Sequence, residues 1–167
     1  MENLLEKMIK EEKSEELARL DAINIVNSLF SELLDRENDI LSRRFGLKGN
    51  KSETLEKIGS LHKLTRERVR QIEAASIKKI KKLETLESSM AILKDTVQNL
   101  LVEHGGLISR DYLLDILTVI CLELNNENIP ADADYEKNRR IYRNHFNFII
   151  LNLCNHKYLL NPYILIV

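Results

Sequence analysis

The chain has 167 residues, of which 44% are hydrophobic and 31% charged, and its formal net charge is −1. This composition is typical of a globular protein with one or two small domains. No apolar run approaches the ~20 residues of a membrane-spanning helix, and the acidic first segment lacks the apolar core of a signal peptide, so we expect a cytoplasmic protein. Cys121 and Cys154 lie in apolar runs without metal-ligand spacing, which predicts buried free thiols.

The small net charge hides three blocks of opposite sign. Residues 1–40 carry a net charge of −6, residues 41–82 carry +9 and residues 83–167 carry −4. A central basic block between acidic ends predicts a polyanionic partner for the middle of the chain, and the −4 block predicts protein contacts or plain scaffold packing rather than DNA binding. The alternative for the basic block is a solvated, lysine-rich helix face.

The first two predicted elements are helices. Residues 1–20 are rich in Glu and Lys with a thin apolar stripe, which predicts an acidic N-terminal helix. A second helix is expected from about Asp21 to Leu34, because Ile23, Val26 and Leu29 recur at helical spacing.

Two short helices follow. Residues 35–45 predict a helix that places Ile40 in the core, and Gly46 stands where a left-handed C-terminal cap is expected. Thr54 is the expected N-cap of a further helix over residues 55–61.

A tight turn then leads into a longer helix. The turn contains His62 and Lys63, after which Thr65 caps a helix expected to run to about Glu87. Two helices joined by such a turn, the second with a polar face, are typical of a helix-turn-helix motif.

The last part of the chain predicts three more helices and a hairpin. The helices are expected over Met90–Glu103, Arg110–Leu124 with Ser109 as N-cap, and Tyr135–Asn155, and the strands over Lys157–Leu160 and Tyr163–Val167. This order is typical of a winged-helix-like domain. We therefore predict a mainly α fold with an acidic helix at 1–20, a helix-turn-helix domain at 21–88 and a winged-helix-like domain at 89–167.

The nonapeptide Thr65–Glu73 opens the longer helix and separates polar from apolar side chains. On a helical wheel, four polar side chains fall within an arc of about 140°: Arg66, Glu67, Arg70 and Gln71. Val69, Ile72, Ser76, Ile80 and Leu83 fall on the opposite side. Guanidinium, carboxylate and amide groups suit the edges of guanine, cytosine and adenine in the DNA major groove.

Four linked stretches occur in the order and spacing of a known family. They are Asp35-Arg36-Glu37, Arg43-Arg44-Phe45-Gly46-Leu47, Thr54-Leu55-Glu56-Lys57-Ile58-Gly59 and the nonapeptide. Together they resemble region 4 of the sigma-70 family of RNA polymerase sigma factors, over residues 34–83, which is under a third of the chain. The C-terminal part is similar in outline to winged-helix domains of bacterial transcription proteins.

The resemblance implies a role for each matched position. The second helix of the motif would enter the major groove of a promoter −35 element, with Arg66, Glu67, Arg70 and Gln71 facing the bases. The positions implied to touch the DNA backbone are Arg36, Arg44, Thr54, Leu55 and Glu56, and Lys78, Lys79, Lys81 and Lys82 would add attraction to phosphates.

The resemblance also implies a protein partner, the RNA polymerase core at the flap of its beta subunit. Candidate contacts are Leu29, Leu33, Leu34 and Ile40, each of which is more often an ordinary core residue. Where the family often has an apolar residue followed by glycine, this chain has His62 and Lys63, and a positive φ would strain Lys63. Ala75 replaces a basic residue common in the family. No segment resembles region 2 of the family, so the chain is not expected to act alone as a complete sigma factor.

These observations predict a DNA-binding transcription regulator of a bacterial or phage-infected cell. No activated Ser or Cys, phosphate loop or metal cluster stands out in the sequence, so neither an enzyme nor a cofactor is expected. The main alternative is an interaction module that binds RNA polymerase or a sigma factor without specific DNA recognition. A nonspecific DNA-coating protein is the third reading, which the lysines favour and the Glu67 and Gln71 arrangement disfavours.

Overall fold

A computed structural model describes residues 19–124, 135–154 and 165–166. Its elements in chain order are α1 (Ala22–Phe30), α2 (Asp35–Phe45), α3 (Leu55–His62), α4 (Arg66–Ile80), α5 (Thr85–Glu103), β1 (Leu107–Ile108), α6 (Arg110–Leu124), α7 (Tyr135–Phe148), a π-helical turn (Ile149–Leu153) and β2 (Leu165–Ile166). The predicted mainly α fold with a helix-turn-helix is confirmed, α3 and α4 being the motif. None of the described helices is both long enough and apolar enough to cross a membrane.

Side-chain caps fix where the first helices begin and end. The Thr54 hydroxyl accepts a hydrogen bond from the Lys57 amide at 3.3 Å, and the Thr65 hydroxyl accepts one from the Arg68 amide at 3.2 Å. Both predicted N-caps are therefore confirmed. Gly46 ends α2 with φ 64° and ψ 33°, the left-handed cap expected there.

Two predicted helix ends were wrong. The second helix ends at Phe30 rather than Leu34, because the chain tightens into a turn in which the Leu33 amide bonds to the Phe30 carbonyl. Helix α4 ends at Ile80 rather than near Glu87, and α5 begins at Thr85 rather than Met90. At the end of α4, backbone amides donate to carbonyls three residues earlier rather than four, and this tighter turn ends the helix. Helix α5, which follows this turn, then packs its apolar side against α1.

The C-terminal elements follow the predicted order with one addition. Helix α7 continues beyond Phe148 as a π-helical turn, within the helix predicted to Asn155. Strand β1 was not predicted, and it pairs in parallel with β2, Leu107 opposite Leu165. Residues 1–18 of the acidic helix predicted over 1–20, residues 125–134 and the predicted strand Lys157–Leu160 lie outside the described residues. The hairpin and the domain boundaries stay predictions.

The described helices enclose two cores of unequal size. A small core inside the helix-turn-helix consists of Ile40, Ile58 and Val69, all fully buried. A large core joins α1, α5, α6, α7 and the π-helical turn, and it also takes Leu41 and Ile80 from the helix-turn-helix. The motif therefore shares apolar contacts with the C-terminal helices. Neither Cys121 nor Cys154 forms a disulfide, and burial raises the pKa of each thiol to about 12.

Aromatic and polar contacts attach α7 to the helix-turn-helix. The Phe148 ring packs edge-on against Phe30 and Phe45, with centroids 5.5 Å and 4.9 Å away. The side-chain amide of Asn144 donates to the Gly46 carbonyl at 2.9 Å. These contacts join α7 to the last turn of α2, so the C-terminal helices fix the orientation of the motif.

The backbone of Lys63, in the turn between α3 and α4, is strained. Its φ of 54° makes it the one non-glycine residue with positive φ among the described residues, as expected from the sequence. Glycine adopts this conformation without a Cβ clash, so Lys63→Gly is expected to raise the free energy of unfolding by about 0.5–1 kcal/mol. Denaturant titration measures this change in the free energy of unfolding. Lys78→Gly, inside α4, is the matched control and should lower the free energy by about 1 kcal/mol. Loss of stability in the Lys63 variant would contradict the prediction.

Candidate nucleic-acid interface

The first two turns of α4 present an exposed polar surface. The residues Arg66, Glu67, Arg70 and Gln71, here called the base-facing surface, are all exposed. Val69, between them in sequence, is fully buried against α2 and α3. Since α3 and α2 cover the opposite side of α4, the helix can insert its polar side into a groove without uncovering the small core.

Hydrogen bonds link the side chains of this surface. The Arg70 guanidinium donates twice to the Glu67 carboxylate, at 2.9 and 2.7 Å. The Gln71 amide donates to the same carboxylate at 3.4 Å and accepts from Arg68 at 3.2 Å. Arg68, expected to be a surface ion-pair partner, therefore orients Gln71. The network pre-orders the surface before any ligand binds.

These hydrogen bonds also fix protonation states. Those from Arg70 hold the pKa of Glu67 below its usual range, and they raise the pKa of Arg70 in turn. Glu67 is thus a carboxylate that only accepts hydrogen bonds at neutral pH. A cytosine amino group or a second guanidinium satisfies such an acceptor, whereas the acceptor oxygens of guanine do not.

An exposed ion pair joins the starts of the two motif helices. Arg66 lies 3.1 Å from the Glu56 carboxylate, both side chains being more than half exposed. Glu56 and its neighbour Leu55 occupy the first turn of α3, where backbone amides have no partner within the helix. The amides and the base-facing surface therefore lie at adjacent helix starts, an arrangement suited to a DNA phosphate beside a groove.

The two arginines implied to touch the DNA backbone also make contacts inside the motif. Arg36 donates to the His62 carbonyl at 2.8 Å, at the end of α3. Arg44 donates to the Glu53 carbonyl at 3.2 Å, and its Nε lies 3.5 Å from the Glu73 carboxylate. The pairing of Glu73 with Arg44 ties α4 to α2. Both arginines thus hold the motif together.

The lysines of α4 differ in their surroundings. All four predicted phosphate-attracting lysines, Lys78, Lys79, Lys81 and Lys82, are exposed. Lys79 lies 3.6 Å from the Glu37 carboxylate, so its charge is partly neutralised. Lys78 falls at about 120° on the wheel, at the edge of the base-facing arc. Ala74, which the sequence analysis did not single out, is exposed and falls near 80°, inside the same arc.

Beneath the turn of the motif, a partly buried carboxylate has three basic neighbours. Asp39 of α2 lies 2.7 Å from Arg43, 2.9 Å from His62 and 3.6 Å from Lys48. Burial acts to raise its pKa, but the hydrogen bonds from Arg43 and His62 outweigh burial and hold the pKa below its usual range. His62, the unusual residue in this turn, therefore ties α3 to α2.

The predicted polymerase contacts divide into buried and exposed residues. Leu29 and Ile40 are fully buried and Leu33 is 9% exposed, so all three serve the cores. Leu34 is 69% exposed, at the start of α2. Of the four, Leu34 alone offers a large apolar surface to a partner.

The caps, the left-handed turn at Lys63 and the exposed polar side of α4 define a helix-turn-helix. Residues 29–82 match the family model described as "Sigma-70, region 4", so this segment is similar to that family. The match covers about a third of the chain and extends from the end of α1 to just beyond α4. The predicted resemblance over residues 34–83 is confirmed.

Relatives among known proteins are sigma factors. The chain is 46% identical to RNA polymerase sigma factor SigA of Lactococcus lactis subsp. cremoris over 56 residues, 34% of this chain and 15% of that protein. It is 40% identical over 72 residues to SigA of Microcystis aeruginosa, 43% of this chain and 16% of the relative. The chain thus spans about a sixth of the length of these relatives. No solved structure matches it significantly.

Proposed function

We propose that this protein is a transcription regulator that binds a promoter −35-like element through α4. The base-facing surface inserts into the major groove, where Arg66 and Arg70 donate to guanine, Glu67 accepts from cytosine and Gln71 bonds to adenine. The observation that carries this proposal is the pre-ordered, exposed network on the first turns of α4, within a segment similar to sigma-70 region 4.

The DNA backbone is held on either side of the groove. The first-turn amides at Leu55 and Glu56 bind one phosphate, and Thr54 orders that turn by capping it. Lys78 near the end of α4 and Lys81 just beyond that helix attract further phosphates. Arg36 and Arg44 keep their contacts within the motif and direct their remaining donors to the backbone.

A contact with RNA polymerase completes the proposed role. The sigma factor relatives and the region 4 match support a partner of this kind, and the flap of the beta subunit is the proposed contact. Among the predicted contact residues, Leu34 is the one whose apolar side chain is exposed on the domain surface. The protein would act in the cytoplasm of a bacterial or phage-infected cell, without enzymatic activity of its own.

The test is selection of binding sequences from randomised duplex DNA at physiological salt. The wild type is expected to enrich a short G·C-containing motif. Arg66→Ala/Glu67→Ala/Arg70→Ala should lose it, because each good base contact contributes about a 5- to 150-fold preference for the correct base.

A matched variant separates loss of recognition from loss of charge. Arg19→Ala/Arg110→Ala removes two exposed arginines outside the helix-turn-helix. This variant should still enrich the DNA sequence that the wild type selects. If the wild type enriches no sequence but still binds purified polymerase, direct recognition is wrong and the protein is an interaction module. Binding that collapses with salt equally on all sequences would identify a nonspecific DNA-coating protein.

A further inference from the structure

We propose that a cavity between α1, α2 and α7 is a binding site for a small uncharged ring compound that carries an N–H or O–H donor. The cavity has a volume of about 400 Å³, within the range of about 300–1,000 Å³ that is usual for small-molecule sites. The base-facing surface does not contribute to its lining. This inference is therefore independent of the proposed function.

Three buried apolar side chains line part of the cavity. Val26 and Phe30 lie one turn apart on α1, and Leu47 lies in the loop that follows α2. All three also belong to the large core, so their positions are fixed by packing. Ligand sites are typically lined by such side chains together with a few polar groups that orient the ligand. The apolar part of the lining suits the face of a ring.

A buried histidine from α7 also lines the cavity. His145 is only 4% exposed, and its Nδ1 lies 2.7 Å from the Ile141 carbonyl oxygen. Because a carbonyl only accepts hydrogen bonds, Nδ1 carries a proton. Burial lowers the pKa of His145 and outweighs the opposite effects of this hydrogen bond and of Asp21, so the ring is neutral at neutral pH. The other nitrogen, Nε2, is then an acceptor.

This acceptor has no hydrogen-bond donor among the described residues, whereas polar groups of α2 in the same lining bond to one another or to neighbouring helices. The Ser42 hydroxyl donates to the Asn38 side chain at 3.0 Å. The Asp39 carboxylate lies 2.7 Å from Arg43 and 2.9 Å from His62. A buried acceptor without a donor is unfavourable, because folding has removed its hydrogen bonds to bulk water. The structure therefore leaves Nε2 of His145 for the donor of a ligand.

The charges around the cavity favour an uncharged ligand. Asp35 and Lys48, both exposed, carry opposite charges at its rim. The charge of Asp39 is offset by Arg43 and by Lys48, which lies 3.6 Å away. Neither sign therefore predominates. An ion that reached the neutral His145 would lose its water without gaining a buried counter-charge, whereas an uncharged donor loses little.

The experiment uses two pairs of probes that match in shape and differ in the donor. Indole and phenol carry an N–H or O–H donor, and benzothiophene and fluorobenzene are their counterparts without one. Each probe is titrated into the full-length, ¹⁵N-labelled protein. The backbone amide resonances of Val26, Phe30 and Leu47 report occupancy of the cavity, and the ¹⁵N resonance of His145 Nε2 reports a hydrogen bond to that atom. Saturable shifts of the cavity amides are expected for both pairs, and a shift of Nε2 for indole and phenol only.

A matched pair of variants tests the histidine itself. His145→Asn keeps an amide donor near the Ile141 carbonyl and removes the acceptor Nε2. It should lower the affinity ratio of indole to benzothiophene by about 2- to 13-fold, the net effect of one hydrogen bond, and the ratio cancels the difference in hydrophobicity between the probes. His104→Asn is the control, because Nδ1 of His104 also lies close to the carbonyl four residues earlier, at 2.8 Å, and His104 does not line the cavity. It should leave the ratio unchanged.

Three results would overturn the proposed site. One is the absence of saturable shifts at the cavity amides with both probe pairs. Another is an affinity ratio that His145→Asn leaves unchanged. The third needs no variant and decides the matter if His145→Asn does not fold: an Nε2 resonance in the wild type that responds equally to indole and benzothiophene. DNA enters none of these measurements, so their outcome does not depend on whether α4 recognises a promoter sequence.

Discussion

Replacing Gly59 by alanine is expected to lower the free energy of unfolding by about 1–3 kcal/mol, the usual cost of forcing an atom into filled space. Gly59 is buried in α3, and a Cβ built on it would lie 2.6 Å from the Leu64 carbonyl oxygen. The obstacle is backbone, which no side-chain rotation removes. The Gly59 carbonyl also accepts from the Leu64 amide at 2.8 Å, so the clash falls on the bond that closes the turn.

The same substitution should weaken DNA binding more than stability alone explains. A shift at Leu64 moves the start of α4, where the base-facing surface lies, relative to the first turn of α3. Ser60→Ala is the matched control, because Ser60 is the exposed neighbour in the same helix, and its effect should stay within about 0.5 kcal/mol.

Denaturant unfolding and binding to the selected duplex are the two measurements for this variant. In an unobstructed helix, alanine is more favourable than glycine by about 1 kcal/mol. If Gly59→Ala stabilises the protein by that amount, the close packing of α3 on the turn does not constrain the motif.

Local signals in the sequence were sufficient to predict the helix-turn-helix motif. Thr54, Gly46 and Thr65 cap helices through hydrogen bonds to neighbouring amides or through the residue's own backbone conformation. Such effects depend on a few adjacent residues, which is why the ends of α2 and the starts of α3 and α4 could be predicted. The exposed arc of α4 followed from helical geometry in the same way.

Features that depend on distant residues could not be predicted. The break after Ile80 carries no proline or glycine, and it forms because Leu83 and Leu86 pack on the large core. The pairing of Glu73 with Arg44 joins residues 29 positions apart in sequence, on different helices. An intrahelical partner for Glu73 was the local alternative, and tertiary packing overrode it.

In the candidate site, too, features that depend on adjacent residues could be predicted and features that depend on distant residues could not. The wheel identified Arg66, Glu67, Arg70 and Gln71 as one surface, but it gave no indication of which side chains bond to one another. The position of α7 against Gly46 and Gly49 was equally inaccessible from sequence, since it requires the folded chain.

Glu67 and Arg70 are expected to act as one unit in DNA recognition. Both oxygens of Glu67 accept from Arg70, so each side chain orients the other. Glu67→Ala and Arg70→Ala should each lower affinity for the selected duplex by about 5- to 150-fold, the usual range for a good base contact. The double variant should lose less than the product of the two single losses, by a factor of about two or more, because either substitution already disturbs the pair.

The pair Arg66 and Glu67 provides the comparison within the same surface. Arg66 pairs with Glu56 of α3 at 3.1 Å, and no direct hydrogen bond joins it to Glu67 among the described contacts. The affinity loss of the double variant Arg66→Ala/Glu67→Ala should therefore be closer to the product of its two single losses than is the case for Glu67 and Arg70. Affinities of all single and double variants on one duplex, at one salt concentration, measure both couplings. If the coupling of Glu67 with Arg70 is no larger than that with Arg66, the observed network does not persist on DNA and each side chain contacts its base independently.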